Sequence, residues 1–434
     1  MKLLILGGGF AGLRLARKLA NNGSFDITLI DQFNYHQFQP LFYQVATAGL
    51  DASNISFPLR KAFHNCPNIH IRMARVEQVL FDEKKVVTSE EVFQYDYLVI
   101  ATGASTNFFG NKNLEQNALP MKSTVEALQL RHRLIQNFED ALHAGDEAEL
   151  QRLMNVVVVG GGPTGVELAG AIAEMKKYVL PKDYPELDFS RMNIYLLEAA
   201  GKTLGAMSAV SSSRSEMYLN KLGVQVLTNT LLQDYDGTNV LLKDGKVLPS
   251  YLVVWAAGIK GNIPQGIDSS LVAKGNRIIT DRMNRIKGRE DVFAIGDIAY
   301  MEEEAFPAGH PQVAPVAIQQ ADLLASNLQR ITGGESLLPF TYTDKGSMAT
   351  VGRNLAVVDA PVPFLKRKRL TMGGFPAWLI WMGLHLMLIL GVKNRFFVFI
   401  NWLYNYFTYD QNLRLIFKEF NRPRVATVQK RNIS

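Results

Sequence analysis

One unit of strand, glycine turn and helix occurs twice in this 434-residue chain, and the repetition limits the fold more than any other feature. Residues 2–19 read KLLILGGGFAGLRLARKL and residues 155–172 read NVVVVGGGPTGVELAGAI. The apolar run before each turn predicts a strand buried on both faces of a parallel sheet. In Gly7-x-Gly9-x-x-Gly12 the first glycine permits the tight turn, the second lets a pyrophosphate approach the backbone, and the third lets helix and strand pack closely. Gly160-x-Gly162-x-x-Gly165 repeats the pattern. Each following helix offers N–H groups and a positive dipole end to phosphates. A second apolar strand then ends in an acid able to accept ribose hydroxyls: Asp31, 19 residues after Gly12, and Glu198, 33 residues after Gly165. The polar, proline-containing segment 176–190 accounts for the longer second spacing. The expected fold is therefore α/β, with two dinucleotide-binding units, FAD in one and a nicotinamide in the other. Glu198 favours NADH over NADPH, because a 2′-phosphate would meet a carboxylate; Lys202 moderates that preference.

The intervening segments complete the two units. Residues 95–103 (YDYLVIATG) and 250–258 (SYLVVWAAG) read as matching strands that end at Thr102-Gly103 and at Gly258. Residues 291–297 (DVFAIGD) form a third strand whose Asp297 stands where a flavin ribityl or phosphate could bind, the plainer alternative being a helix N-cap. Glu167 lies in the first turn of the second helix, where the dipole stabilises its anion. It is expected at the nicotinamide–flavin junction, to relay a proton or hold the carboxamide, or else simply to satisfy helix N–H groups. The domain reading is 1–120 with 276–360 as a discontinuous FAD domain, 121–275 as an NADH domain, and 361–434 as a C-terminal helical region. Cys66 is the single cysteine, so no intramolecular disulfide, cysteine metal cage or redox-active cysteine pair can form, and a reducing compartment fits. The seven histidines are scattered, and neither a metal cluster nor a Ser/His/Asp triad is expected. Asp234-x-Asp236-Gly237 reads as a hairpin turn rather than a calcium loop. The apolar run after Lys2 is too short for a secretory signal.

The formal charge of +6 divides unevenly. Residues 364–434 hold twelve Lys/Arg against two Asp/Glu, while the remainder is net −4. The same segment holds 14 of the 43 aromatic residues, Trp378, Trp381 and Trp402 among them. Lys366, Arg367, Lys368 and Arg369 precede a charge-free stretch, 370–392, whose length just allows a membrane span although Gly373, Gly374, Pro376 and His385 interrupt it. Asn401, Asn405, Thr408 and Asn412 then form a polar stripe on an aromatic helix, a pattern suited to the headgroup layer. A hairpin packed on the body or on a second copy is the alternative. Nucleic acid is not expected, because the basic residues flank apolar runs instead of forming a face.

Taken together, these residues resemble the type II NADH:quinone oxidoreductases, a branch of the two-dinucleotide-domain, glutathione-reductase-like flavoproteins. The resemblance covers almost the whole chain. It is most specific in residues 34–47 (NYHQFQPLFYQVAT), 160–175 (GGGPTGVELAGAIAEM), 255–258 (WAAG) and 314–320 (APVAIQQ). It implies FAD in the first domain, NADH in the second, and two-electron transfer to a membrane quinone, menaquinone or ubiquinone, without proton pumping. By this resemblance Gly7, Gly9, Gly12, Asp31, Thr102, Gly103 and Asp297 contact FAD. Gly160, Gly162, Gly165, Glu167, Glu198 and Gly258 lie on the NADH side, and Ala317, Gln319 and Gln320 on the flavin–quinone face. Lys345 resembles a family lysine near that face, able to pair with Glu167. Glu167, Lys345, Gln319 and Gln320 are thus the implied catalytic set. One departure stands out: where many members carry a glutamine, this chain has Pro315, which removes an amide that could touch a quinone carbonyl. Disulfide reductases and sulfide:quinone reductases share the architecture but need cysteine pairs. The family further implies attachment of residues 364–434 to the lipid bilayer at the cytoplasmic face of the inner membrane, with a single span and a homodimer both left open. A reductase of a soluble protein acceptor such as a ferredoxin, and a slow redox-sensing flavoprotein, are the competing functions.

Overall fold

The computed structural model describes residues 1–362, 369–411 and 413–417. Two five-stranded parallel sheets organise the body, and the same arrangement appears in both. In the first, the glycine strand Lys2–Leu6 lies between the acid strand Asp26–Asp31 and Tyr97–Ile100. Ile69–Met73 and Val292–Ala294 close the two edges, so the last strand returns from far along the chain. In the second, Val156–Val159 lies between Ile194–Leu197 and Leu252–Trp255, with Val224–Leu227 and Leu119–Pro120 outside. All four residues of Val156–Val159 are buried, as a strand covered on both faces requires.

The two units are joined where each third strand runs out. Ala104–Thr106 and Ile259–Gly261 pair antiparallel, so both connections travel side by side. Thr102 Oγ1 donates to the Asn262 carbonyl at 2.6 Å and fixes this junction.

Beneath the first sheet, Leu3, Ile5, Ile27, Leu29 and Val99 pack with the helices Phe10–Lys18 and Ala314–Thr332. A bidentate pair, Arg14 to Asp322 at 2.7 and 3.0 Å, ties these helices together. The core of the second unit extends further. It joins Val156, Val158 and Leu196 to Phe42 and Tyr43 of the short helix Phe42–Ala46, and then to Trp381, Val398 and Trp402 of the tail.

A meander of Ser347–Gly352, Leu355–Pro361 and Arg369–Gly373 makes the third platform. It packs on the second motif helix, Pro163–Tyr178, and on the tail helix Phe375–Leu388. The small residues of that motif helix explain the fit. A β-carbon at Gly170 would stand 1.7 Å from the Val351 carbonyl oxygen, so strand and helix touch backbone to backbone.

The tail corrects the reading of one continuous apolar stretch. Arg369–Gly373 is a sheet strand, the chain turns at Gly374 (φ +75°), and a helix of 14 residues follows. At 1.5 Å per residue it reaches about 21 Å, short of the roughly 30 Å hydrocarbon thickness. Among the described residues no helix is long and apolar enough to cross a membrane, so the single-span alternative is not supported. Of the polar stripe on Val392–Thr408, Asn405 faces the body, while Thr408 is exposed and bonds back to the Tyr404 carbonyl of its own helix. Asn405 donates to the Gly49 carbonyl at 3.1 Å and Trp402 to Gln44 Oε1 at 2.7 Å. Phe396, Phe399, Leu403 and Phe407 point outward. The basic residues 366–368, Asn412 and residues 418–434 lie outside the described residues.

Candidate functional site

The two glycine turns are built alike. Gly7 and Gly160 have φ of +107° and +109°, and a β-carbon at either would stand within 2.5 Å of the carbonyl of Ala101 or Ala256. At Gly12 and Gly165 it would lie 1.9 Å from the carbonyl of the first glycine, which fixes how closely helix and turn pack. At Gly9 and Gly162 it would meet nothing within 4 Å. Those two residues cap helices that have neither a side-chain cap nor an acid in the first turn. Each turn is thus an open cradle of helix N–H groups, which suits a pyrophosphate.

The acids fold over these turns. Asp31 accepts from Gly8 N–H at 2.6 Å and Phe33 N–H at 2.8 Å. Glu198 accepts from Gly161 N–H at 2.6 Å and Ala200 N–H at 2.7 Å. Burial holds Asp31 above the usual carboxylate range against these donors. Lys202 donates to the Met207 carbonyl at 3.2 Å, so its charge is held on its own loop.

Three further elements converge on the first turn. Gly296 lies against Ala11 and Ala317: a β-carbon there would be 3.2 and 3.5 Å from theirs. Gln320 Oε1 accepts from Gly296 N–H at 2.7 Å, and Gln312 donates to the Asp297 carbonyl at 2.8 Å. The Asp297 carboxyl is raised by burial, with Lys122 and Arg277 the opposing charges. A desolvated acid, a glycine-lined close approach and an open phosphate cradle fit an FAD. Thr102-Gly103 closes the neighbouring edge, held by Asn262. Gly258 lies on the second unit beneath Phe109, whose ring a β-carbon would meet at 2.7 Å.

Not every expected residue is brought to one place. Gln319 spends both amide atoms on Thr343, donating at 3.0 Å and accepting at 2.9 Å. Gln320 is buried on the Gly296 turn, so both amides hold backbone. Lys345 is exposed, and no ion pair joins it to Glu167 among the described residues. Its neighbour Asp344 instead pairs with Arg369.

Glu167 is placed on the tail side of the second motif helix. It is 8% exposed and lines a cavity of about 110 Å³ with Tyr43, Glu174, Trp381, Trp402 and Gln411. Burial pushes its pKa up to about 8, against the opposing Thr350 N–H at 3.3 Å and the Trp381 indole beside it. Tyr43, fully desolvated near Glu167 and Glu174, is raised well above the ordinary phenol value and accepts from Gln44 at 2.7 Å.

Glu174, two helical turns further on, is also raised by burial and accepts from Arg353 N–H at 2.6 Å. The Arg353 guanidinium in turn donates to the Asn405 and Tyr406 carbonyls and lies 3.4 Å from the centre of the Tyr409 ring. Sequence reasoning missed these wall residues. A signal existed for two: Tyr43 lies in the family-specific segment 34–47, and Glu174 follows Glu167 at i+7 in an otherwise apolar helix.

Comparison with known proteins agrees with this architecture. Residues 1–321 match the pyridine nucleotide-disulphide oxidoreductase family model, and residues 345–409 match the NDH2 C-terminal domain. The type II NADH:quinone oxidoreductase Ndh of Mycobacterium tuberculosis is 35% identical over 421 residues, covering 92% of this chain and 87% of its own. An internal alternative NAD(P)H-ubiquinone oxidoreductase A1 of Solanum tuberosum mitochondria is 30% identical over 93% of this chain and 86% of its own. Among solved structures, NDH2 of Plasmodium falciparum in complex with NADH superposes with a TM-score of 0.85, 21% identity, and coverage of 96% of this chain and 99% of that one. With a single free cysteine, Cys66, the chain cannot use the disulphide chemistry in the first model's name. It belongs to the type II NADH:quinone oxidoreductases, flavoproteins that use FAD and NADH.

Proposed function

We propose that this chain reduces its quinone in the cavity that the tail closes over Glu167. The observation that carries the reading is the composition of that wall. It joins the second dinucleotide helix, the segment around Tyr43 and the outward-apolar tail around one half-open cleft. A cavity of about 110 Å³ is comparable with the roughly 150 Å³ that accommodates one aromatic ring.

FAD, held by Gly7, Gly9, Gly12, Asp31, Thr102, Gly103, Asp297 and Ala317, supplies two-electron redox chemistry between nicotinamide and quinone. Gly160, Gly162, Gly165, Glu198 and Gly258 hold NADH, and Glu198 selects against a 2′-phosphate. Gln320 positions the Gly296-Asp297 turn, and Gln319 secures the segment at Thr343. NADH delivers a hydride, so forming the quinol takes one further proton. Glu167 is protonated at neutral pH and sits in the cavity wall, so it can release that proton at a quinone oxygen.

The tail attaches the enzyme to one leaflet without crossing it. Its outward Phe, Leu and Ile side chains enter the apolar layer, and the basic charge of residues 364–434 meets anionic headgroups. We place the body on the cytoplasmic side of the inner membrane, where a free cysteine stays reduced. The test is stepwise: NADH should bleach the flavin, and a ubiquinone or menaquinone analogue should restore it. Bleaching without recovery by either quinone refutes the reading.

A further inference from the structure

Trp381 is 2% exposed, yet its indole Nε1–H makes no well-formed hydrogen bond among the described residues. Other buried tryptophans in this protein are satisfied: Trp402 donates to Gln44 at 2.7 Å and Trp255 to the Asn107 carbonyl at 2.8 Å. An unpaired buried N–H is costly and uncommon, and it calls for an explanation. The Trp381 ring is also held in place. It stacks on His385 with centroids 4.2 Å apart, and Trp402 and Tyr43 lie at 5.7 and 6.4 Å. His385 Nδ1 lies 2.8 Å from the Trp381 carbonyl. The indole lines the Glu167 cavity and approaches its carboxyl as a weak donor, lowering its pKa, but the contact falls short of a well-formed hydrogen bond. Gln411 Oε1, in the same wall, is a second buried polar atom without a partner.

The usual source of a donor is missing here. Pro315 has no side-chain donor, and the amides of Gln319 and Gln320 are already committed to Thr343 and Gly296. We propose that the Trp381 Nε1–H, supplied by the tail, donates a hydrogen bond to a carbonyl oxygen of the quinone and directs that oxygen to the Glu167 carboxyl. The proposal rests on the reading that the quinone occupies this cavity. It adds a substrate-binding residue from the membrane-attaching segment, so the tail completes the quinone site as well as anchoring it.

The test compares Trp381→Phe with Ala171→Phe in the flavin-loaded enzyme. Ala171 lines the same cavity, and a ring there fills it. Trp381→Phe keeps the aromatic packing and removes the donor. Affinity for decylubiquinone, by calorimetry in detergent, should fall about 10-fold, and kcat/KM for that quinone should fall with it. The rate of flavin bleaching by NADH should not change. Unchanged decylubiquinone affinity in Trp381→Phe, with the Ala171→Phe enzyme inactive toward quinone, overturns the role of Trp381 alone. If Ala171→Phe leaves quinone turnover intact, the cavity reading itself fails, and this proposal with it. Should Trp381→Phe lose its flavin, indole-¹⁵N-labelled wild type decides. Its unpaired Nε1–H resonance should move downfield on adding decylubiquinone, and a resonance that stays put, as it would if only a water served the indole, overturns the proposal.

Discussion

Replacing Glu167 by Gln should slow quinone reduction and at the same time stabilise the protein. The carboxyl has an ordinary pKa of 4.5 and one of about 8 in the fold, because burial disfavours its anion. Between those values the native protein holds a proton that the unfolded chain has released, so stability falls as pH rises from 4.5 to 8. The slope is about 1.4 kcal/mol per pH unit, so by pH 7 the cost of this group is about 3 kcal/mol. Glutamine has no anion to desolvate, and its carbonyl can still accept from Thr350 N–H. Glu167→Gln should therefore melt above wild type at pH 7.5, and the gap should close near pH 4.5. Turnover with quinone should drop on the order of 10²-fold, and the wild-type decline above about pH 8 should disappear. Thermal melts of the flavin-loaded enzymes from pH 5 to 9, with kcat against pH, check both. A stability difference that does not vary with pH would refute the burial argument. Unchanged turnover would refute the proton-donor role.

Other outcomes follow from close approaches and from faces. Gly162→Ala adds a methyl that meets nothing in the protein, so flavin content and melting temperature should hold while KM for NADH rises, read by steady-state kinetics. Gly170→Ala drives a methyl to 1.7 Å from the Val351 carbonyl and should cost roughly 2–3 kcal/mol, read as a lower melting temperature. Phe399→Ser with Phe407→Ser removes two outward rings worth about 2 kcal/mol each in lipid. Co-sedimentation with anionic vesicles should weaken on the order of 10²- to 10³-fold. Glu198→Gln keeps an acceptor for the turn but removes the charge, and the NADH over NADPH preference in kcat/KM should fall about 10-fold.

The sequence carried the two dinucleotide turns almost completely, because each role there is local. Gly7 must adopt positive φ, Gly12 must lack a side chain, and Asp31 lies one strand away; all of this shows in spacing. The tail was legible only in part. Its polar period on residues 401–408 was visible, but not which side would face inward. That depends on distant acceptors, the Gly49 carbonyl and the Gln44 side chain. The charge-free run 370–392 looked long enough to span, because hydropathy does not register that residues 370–373 pair with the strand Leu355–Pro361. For Glu167 the first-turn reading does not hold: the helix begins at Pro163, so the carboxyl stands beyond the first turn, and burial disfavours the anion that the helix dipole was expected to stabilise. Its surroundings were not readable, since Thr350 and Trp381 come from nearly two hundred residues away and beyond.

The tail's two faces also show how the proposed site for an insoluble acceptor could lie inside a body of net negative charge. An enzyme that merely docked on a membrane would need its acceptor to leave the lipid and cross a wetted gap. Here the segment whose outward side is apolar contributes Trp381 and Trp402 to the inner wall, and Arg353 fastens its end by donating to the Asn405 and Tyr406 carbonyls. Arg353 follows the strand that supplies Thr350 to Glu167, and its own N–H holds Glu174. The tail, the cavity wall and the buried carboxyls therefore form one connected set of contacts. Loosening the tail should alter Glu167 even while the flavin domain stays intact. On the proposed roles, anchoring and proton supply are then not separable: the contact that would seat the anchor also helps bury Glu167, and that burial is what raises its pKa.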